Sequence, residues 1–407
     1  MARDLEPVQC CIAGGGPAGM MLGLLLARAG IRVLVLEKHG DFLRDFRGDT
    51  IHPSTLDVLY ELGLLEGLLR LPHQKVYVLR AEIGDVVIPI ADFRRLPTRC
   101  GFIAFMPQWD FLDFLASEAA RFPSFALRMN TEVTGLLEDG GRVTGVQAQS
   151  PDGPVAVRAD LVVAADGRTS VVREKAGLPV TELGAPMDVL WFRLSRTPGT
   201  PQTLGRIDVG RIFVMLDRGD YSQCGFVIPK GTFDRIRAAG LPAFRQEVAR
   251  LARRPAEPVD ELPSWDHVKL LTVRVDRVSP WYRAGLLCIG DAAHAMSPVG
   301  GVGINLAIQD AVATSNLLAT PLREGRVTAD DLRRVEERRA LPTRVTQRLQ
   351  LAIQDRVIGP VLGAARPVRA PLIVRLLRQF PYLRRIPAHL IGIGIRPEHV
   401  AGARRSG

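Results

Sequence analysis

Three short sets of residues in this chain have the types and spacing to do chemistry. Gly14, Gly16 and Gly19, with Pro17 and Ala18 between the last two, fit G-x-G-x-x-G. In such a turn the first glycine permits the tight bend, the second lets backbone approach a diphosphate, and the third lets helix pack close on strand. Glu37, followed by Lys38, is an acid placed to accept hydrogen bonds from both hydroxyls of an adenosine ribose. The second set is Asp166-Gly167. The third is Gly290-Asp291, followed by Pro298-x-Gly300-Gly301-x-Gly303-x-Asn305, a glycine loop feeding an apolar helical run. On its own the first set says only that a dinucleotide is held.

The elements that must position these residues are legible around them. Val8–Ala13 is an apolar run of strand length, an apolar helical run follows to Gly30, and Ile31–Leu36 is a second strand ending at Glu37. Pro53–Leu62 reads as a helix closed by Gly63, Lys75–Ile90 as a hairpin turning at Gly84-Asp85, and Trp109–Arg121 as an amphipathic helix. Phe125–Met129, Thr131–Leu137, Arg142–Gln149 and Val155–Arg158 read as a meander with turns at Asp139-Gly140-Gly141 and Pro151-Asp152-Gly153. It feeds a separate buried strand, Leu161–Ala165. Val189–Leu194, Arg211–Leu216 and Cys224–Ile228 read as antiparallel strands interrupted by a helix over Ala243–Ala252. Leu286–Ile289 is a further buried strand. From Ala329 the chain reads as arginine-rich helix, broken at Pro342, Pro360, Pro367, Pro371 and Pro381. The expected fold is therefore α/β. It comprises a Rossmann-like three-layer domain (1–74, 105–180 and 276–330), an inserted antiparallel sheet domain (75–104 and 181–275) and a C-terminal helical region (331–407).

The totals narrow the function classes. The chain has 407 residues with 47% hydrophobic and 24% charged, the balance of an ordinary globular enzyme. No apolar run reaches bilayer-spanning length, and Asp4 and Glu6 precede the first strand, unlike a secretory leader. The five cysteines form no C-x-x-C and no metal spacing, which points to reduced thiols, a cytoplasmic setting and no metal. The net charge of +10 comes almost entirely from dispersed arginines, so nucleic acid is not the expected partner. The arginines are densest near the C-terminus. There a helical cap on the first domain is the expected role, and a basic amphipathic surface for membranes or lipophilic substrates is the alternative.

Taken in order, the three sets resemble the class A flavoprotein monooxygenases, the aromatic-hydroxylase family with a p-hydroxybenzoate hydroxylase-like fold, along essentially the whole chain. Residues 47–64, RGDTIHPSTLDVLYELGL, also resemble that family's arginine-bearing loop and helix. The resemblance implies that FAD is resident. Gly14, Gly16, Pro17, Ala18 and Gly19 would lie at its diphosphate, Glu37 and Lys38 at the adenosine ribose, and Val133 would offer backbone to the adenine. Arg47 and Gln108 match positions at the diphosphate or ribityl chain. Asp291 would take ribityl hydroxyls, Pro298, Gly301, Gly303 and Asn305 would meet the flavin edge, and Asp166-Gly167 would stand between flavin and nicotinamide. It further implies NADH or NADPH and dioxygen as co-substrates and a flavin C4a-hydroperoxide that hydroxylates or epoxidises an aromatic or polyketide-like molecule. A same-fold reductase or halogenase, or a structural FAD in a cyclase or ligand-binding module, are the alternatives. No W-x-W-x-I-P halogenase motif is present. His52 and His294 are expected to be structural, and no acid/base residue stands out.

Overall fold

The apolar runs beside the three residue sets pair into one sheet because each is short, rich in Val, Ile and Leu, and buried on both faces. In the computed structural model, which describes residues 3–43, 50–84, 86–195, 203–252, 261–364, 366 and 372–402, this parallel sheet has the order Phe125–Arg128, Val33–Leu36, Val8–Ala13, Gly153–Ala164, Leu286–Cys288. Every residue of Val33–Leu36 and of Leu286–Cys288 is buried. The register aligns the strand ends: Leu36 lies opposite Ala13, Ala13 opposite Ala164, and Ala164 opposite Cys288. With about 4.8 Å between neighbouring strands, the loops after these four residues emerge side by side along one edge.

Helix Pro17–Arg28 connects the first two strands and packs against helices Gln108–Ala119 and Gly303–Arg323. Two expectations about the meander are corrected here. Phe125–Arg128 does not belong to it: the strand returns from helix Gln108–Ala119 and pairs in parallel with Val33–Leu36, as a strand entering after a helical crossover must. The meander's last strand is also not separate from the buried one. Gly153–Ala164 is continuous, pairing antiparallel with Arg142–Ser150 over its first half and in parallel with Val8–Ala13 over its second.

A second sheet of seven strands has the order Lys269–Leu271, Met187–Ser195, Tyr221–Pro229, Arg211–Asp217, Thr203–Asp208, Val78–Ile83, Val86–Asp92. Strand alternation gives it two faces. Leu190, Phe192, Phe213, Cys224 and Phe226 point to helix Leu241–Ala252 and pack on Phe244 and Val248. Met187, Val189, Ile212 and Val227 point the other way, onto Val273, Ile358, Val361 and Val299. Val299 belongs to the glycine loop of the third residue set, so this face covers that loop.

Thr328 and Asp331 form a capping box at the start of the long helix Ala329–Ile353. Pro342 lies inside that helix, buried, and does not break it, contrary to expectation. Proline forfeits one backbone hydrogen bond, and the tertiary packing along this buried face outweighs that loss. The break comes at a π-turn, Gln354–Ile358, ahead of Gly359–Leu362, with Pro360 in its first turn. Pro367 and Pro371 lie outside the described residues.

Candidate cofactor and active site

The glycine turn is built by contact rather than by composition alone. Gly14 has φ +103°, and a Cβ there would stand 2.4 Å from the carbonyl oxygen of Ala165 and 2.8 Å from Cα of Asp166. Gly19 is closed in the same way, 2.0 Å from the carbonyl oxygen of Gly14. Gly16 differs: a Cβ there meets nothing within 4 Å. Two glycines therefore serve close packing, and the middle one faces free space at the N-terminus of helix Pro17–Arg28, whose cap is Gly16 with no side-chain acceptor. Unpaired N–H groups and the positive end of the helix dipole make that space suited to an anion.

Glu37 is buried at the adjacent strand end, where the N–H of Gly15 donates to Oε2 at 2.9 Å and the N–H of His39 to Oε1 at 3.0 Å. Lys38 beside it is exposed. Val133 is buried at the start of strand Glu132–Asp139, close in sequence to Thr131, whose N–H donates to the Glu37 carbonyl oxygen. The ribose end predicted from sequence is thus one connected neighbourhood.

At the next two strand ends the structure adds residues that sequence reasoning missed. Asp166 accepts from the Val172 N–H at 3.2 Å, while its Oδ1 is buried without a partner, and burial pushes its carboxyl above the usual range. Arg168, two residues on, donates to Asp291 at 3.3 Å and so joins the second and third sets. Arg173 is buried and donates to the carbonyl oxygens of Ala292 (3.1 Å) and Arg168 (2.9 Å). Ser170 caps the intervening helix by accepting from the Arg173 N–H.

The loop after Asp291 is held from behind. Asp310, fully buried on helix Gly303–Arg323, accepts from His294 Nε2 at 2.7 Å, from the Gly290 N–H at 3.0 Å and from Arg339 Nε at 2.9 Å. Burial raises its carboxyl, but the His294 ring and the Arg339 guanidinium more than reverse this and hold it below the usual range. His294 is therefore a structural residue, in line with its reading from sequence. Helix Ala329–Ile353 and its π-turn contribute a ladder of glutamines. Gln347 donates to the carbonyl oxygens of Asp276 and Ala295. Gln350 donates to those of Ser297 and Val299 and accepts from the Ser297 N–H, and Gln354 donates to the Ser297 hydroxyl. Their i, i+3, i+7 spacing puts all three on one face of the helix.

The glycine loop itself faces the segment before helix Pro53–Glu61. Thr50 Oγ1 donates to the Gly301 carbonyl oxygen at 3.2 Å, and Thr55 Oγ1 to Asn305 Oδ1 at 2.6 Å. Asn305 Nδ2 is buried without a partner. His52 is fully buried, its Nδ1–H donates to the Ile391 carbonyl oxygen at 2.7 Å, and burial pushes its pKa down to about 4, so the ring is neutral. Its Nε2 is an unpartnered acceptor near Gly301. Gly300 and Gly301 have φ +80° and +64°, and Gly303 starts a helix with no side-chain cap. Gln108 is buried at the first turn of its helix, Pro298 precedes the glycine loop, and Arg47 lies outside the described residues. All five cysteines are free and buried, with burial pushing Cys11 up to about 12, so no thiolate chemistry is offered. Among the described residues no group of three or more His, Cys, Asp or Glu could hold a metal ion.

A parallel sheet with a glycine turn, an acid and two Asp-bearing loops on one edge, covered by a second sheet, defines an FAD-dependent oxidoreductase. A family model described as FAD binding domain matches residues 7–349. The chain is 35% identical over 381 residues to 6-methylpretetramide 4-monooxygenase of Streptomyces rimosus, covering 92% of this chain and 91% of that protein. It is 30% identical over 316 residues to dialkyldecalin synthase of Streptomyces rugosporus, covering 74% of this chain and 63% of that one. Among solved structures, OxyS anhydrotetracycline hydroxylase from Streptomyces rimosus matches with a TM-score of 0.76 at 25% identity, covering 98% of this chain and 78% of that one. The p-nitrophenol 4-monooxygenase PnpA from Pseudomonas putida shares the fold, with a TM-score of 0.74 at 20% identity over 95% of this chain and 94% of that one. The chain belongs to the FAD-binding family of class A monooxygenases, in which NAD(P)H is the usual reductant.

Proposed function

We propose that this chain oxygenates a fused-ring aromatic of polyketide type, held between the second sheet and the Pro298–Asn305 loop. The observation that carries the reading is the single row of strand ends. The Glu37 carboxylate, the free space at Gly16, Asp166 and Asp291 follow one another along it, and the unpartnered Asn305 Nδ2 stands in the glycine loop that follows Asp291, as an extended two-ended cofactor requires. FAD, when bound, supplies the redox chemistry, taking hydride from a reduced nicotinamide and passing electrons on to dioxygen.

The remaining work falls to the protein. Gly16 and the N-terminus of Pro17–Arg28 receive the diphosphate, with Gly14, Pro17, Ala18 and Gly19 shaping the turn. Glu37, with Lys38 and Val133 beside it, receives the adenosine end. Asp291 receives polyol hydroxyls, and Arg168 holds it in place beforehand. The uncapped N-terminus at Gly303, with Gly301 and Asn305, offers N–H donors where negative charge builds on a reduced ring. Gln108 and Arg47 are assigned to the middle of the cofactor. Asp166-Gly167 is assigned to the side from which a nicotinamide approaches. His52, neutral at every working pH above its pKa, contributes an acceptor and no charge. The sheet face of Met187, Val189 and Val227 covers the loop and excludes water, which protects a reactive oxygen species from wasteful decay.

The substrate class rests on two relatives whose names specify pretetramide and anhydrotetracycline. The synthase relative favours a second reading, in which bound FAD is a scaffold for ring closure. Oxygen uptake separates the two. Holoprotein is mixed with NADH or NADPH and a panel running from simple phenols to tetracyclic naphthacenes. The account expects uptake stimulated by the tetracyclic members, with an oxygenated product. Product formation under strict anaerobiosis would support the scaffold reading instead.

A further inference from the structure

Between Asp355 and Glu398 the chain contains no Asp and no Glu, and also no Lys, Ser, Thr or Asn; its charge there is carried by arginine alone. After the π-turn and helix Gly359–Leu362, its described residues from Leu372 on form three short helical segments, Leu372–Gln379, Pro381–Arg384 and Arg385–Gly392, laid against strand Val86–Asp92. Their inner side is a cap on the enzyme. Leu377 and Ala388 are buried, and Gly392 lies so close to Leu96, Phe93 and Pro53 that a Cβ would touch all three.

No described residue covers the outer side. Tyr382 is 66% exposed, Ile386 60%, Phe380 38% and Leu390 37%, and Val86 and Val87 on the supporting strand are exposed beside them. Arg375, Arg378 and Arg385 are exposed among these residues, and none forms an ion pair with a described carboxylate. Two cavities adjoin the patch. One of about 320 Å3 lies among Leu96, Ile386 and Leu390. A second of about 430 Å3 shares Pro97 and His389 with it and reaches Ser54, beside His52.

We propose that this outer face docks on an anionic lipid surface. Tyr382, Phe380 and Ile386 would enter the interfacial zone, with the arginines at headgroup level, so that the cavities open toward the bilayer. A second copy of the same face is disfavoured because it would bring arginine against arginine with no acid between them. A bilayer needs only charge and insertable apolar surface, and this face supplies both, its cations interspersed with exposed Phe380, Tyr382 and Ile386; an acidic protein is the competing occupant that the experiment separates. No described helix is long and apolar enough to cross a membrane, so the contact is peripheral.

Flotation of the holoprotein with unilamellar vesicles tests this, comparing phosphatidylcholine alone with phosphatidylcholine containing phosphatidylglycerol. Binding is expected only with the anionic vesicles, falling as salt rises. Each arginine removed should lower partitioning about fivefold. Arg375→Gln, Arg378→Gln and Arg385→Gln together should lower it about a hundredfold, at unchanged flavin content and melting behaviour. Tyr382→Ser with Ile386→Ser should also release the protein, with all charges intact. The proposal is overturned if the holoprotein ignores anionic vesicles, if it binds neutral ones equally, or if the arginine variant still floats. Retention by an acidic carrier protein without vesicle binding would overturn it in favour of a protein partner.

Discussion

Gly14 and Gly16 sit two residues apart in the same turn, yet substituting them should have opposite signatures. At Gly14 an alanine Cβ would lie 2.4 Å from the Ala165 carbonyl oxygen and 2.6 Å from its carbon, both backbone atoms that no rotamer change can move. The left-handed φ of +103° adds about 1–2 kcal/mol, and forcing the strand ends apart adds about 1–3 kcal/mol. Gly14→Ala should therefore destabilise the apoprotein by about 3 kcal/mol and lose FAD as well. At Gly16, φ is −73° and ψ −175°, a conformation alanine adopts freely, and the new methyl meets no protein atom. Lower unfolded-chain entropy and a slightly poorer helix cap roughly cancel, so apoprotein stability should shift by less than about 0.5 kcal/mol. The methyl would instead fill the space assigned to the diphosphate, and FAD affinity should fall at least about a hundredfold, or roughly 3 kcal/mol. Urea unfolding of both flavin-free proteins, followed by fluorescence titration with FAD, measures the two quantities separately. The reasoning is refuted if Gly16→Ala destabilises the apoprotein as Gly14→Ala does, or if it binds FAD as tightly as the wild type.

Three further outcomes follow from the geometry. The buried His52 has its pKa lowered from about 6.5 to about 4. The unfolded chain therefore takes up a proton in that window while the folded one does not, and stability should fall by up to about 3 kcal/mol as pH drops through it. His52→Leu should flatten this part of the pH dependence in urea unfolding at pH values on either side of 6, whereas an unchanged slope would show that the ring protonates readily when folded. Asp310→Asn leaves the fully buried Arg339 short of its nearest carboxylate and should cost about 3–5 kcal/mol, read as a lowered unfolding midpoint. Gln350→Ala removes three hydrogen bonds that fasten Ser297 and Val299 and should cost about 2–3 kcal/mol. It should also weaken FAD binding without altering the pH profile of turnover, as befits a positioning residue; full wild-type affinity would argue that the loop holds itself.

The parts of the site that were legible in sequence are those where local geometry and chemistry coincide. The run from Val8 to Glu37 announces itself because a glycine turn, a helix and a strand-terminal acid must be consecutive to work. Asp166 and Asp291 are visible because each ends an apolar strand. What was not legible depends on contacts across long sequence separations. Phe125–Arg128 looks like any meander strand until helix Gln108–Ala119 returns it beside Val33–Leu36. Gln347, Gln350 and Gln354 carry a helical spacing indistinguishable from a solvated face, and only the fold shows that this face is buried against Asp276 and Ala295–Val299. Arg168 and Arg173 read as two more arginines in an arginine-rich chain, and their role appears only when the second and third loops are adjacent. Pro342 misled because proline propensity is a local rule and the buried packing of helix Ala329–Ile353 overrides it.

The central claim is that the site transfers an oxygen atom from dioxygen to an aromatic substrate. The most direct measurement is a single turnover of the reduced holoprotein with a tetracyclic phenol under heavy-isotope dioxygen, followed by mass spectrometry of the organic product. One labelled oxygen atom per product molecule is the expected result. A product formed with no label, or label recovered solely in hydrogen peroxide and water, would contradict the account.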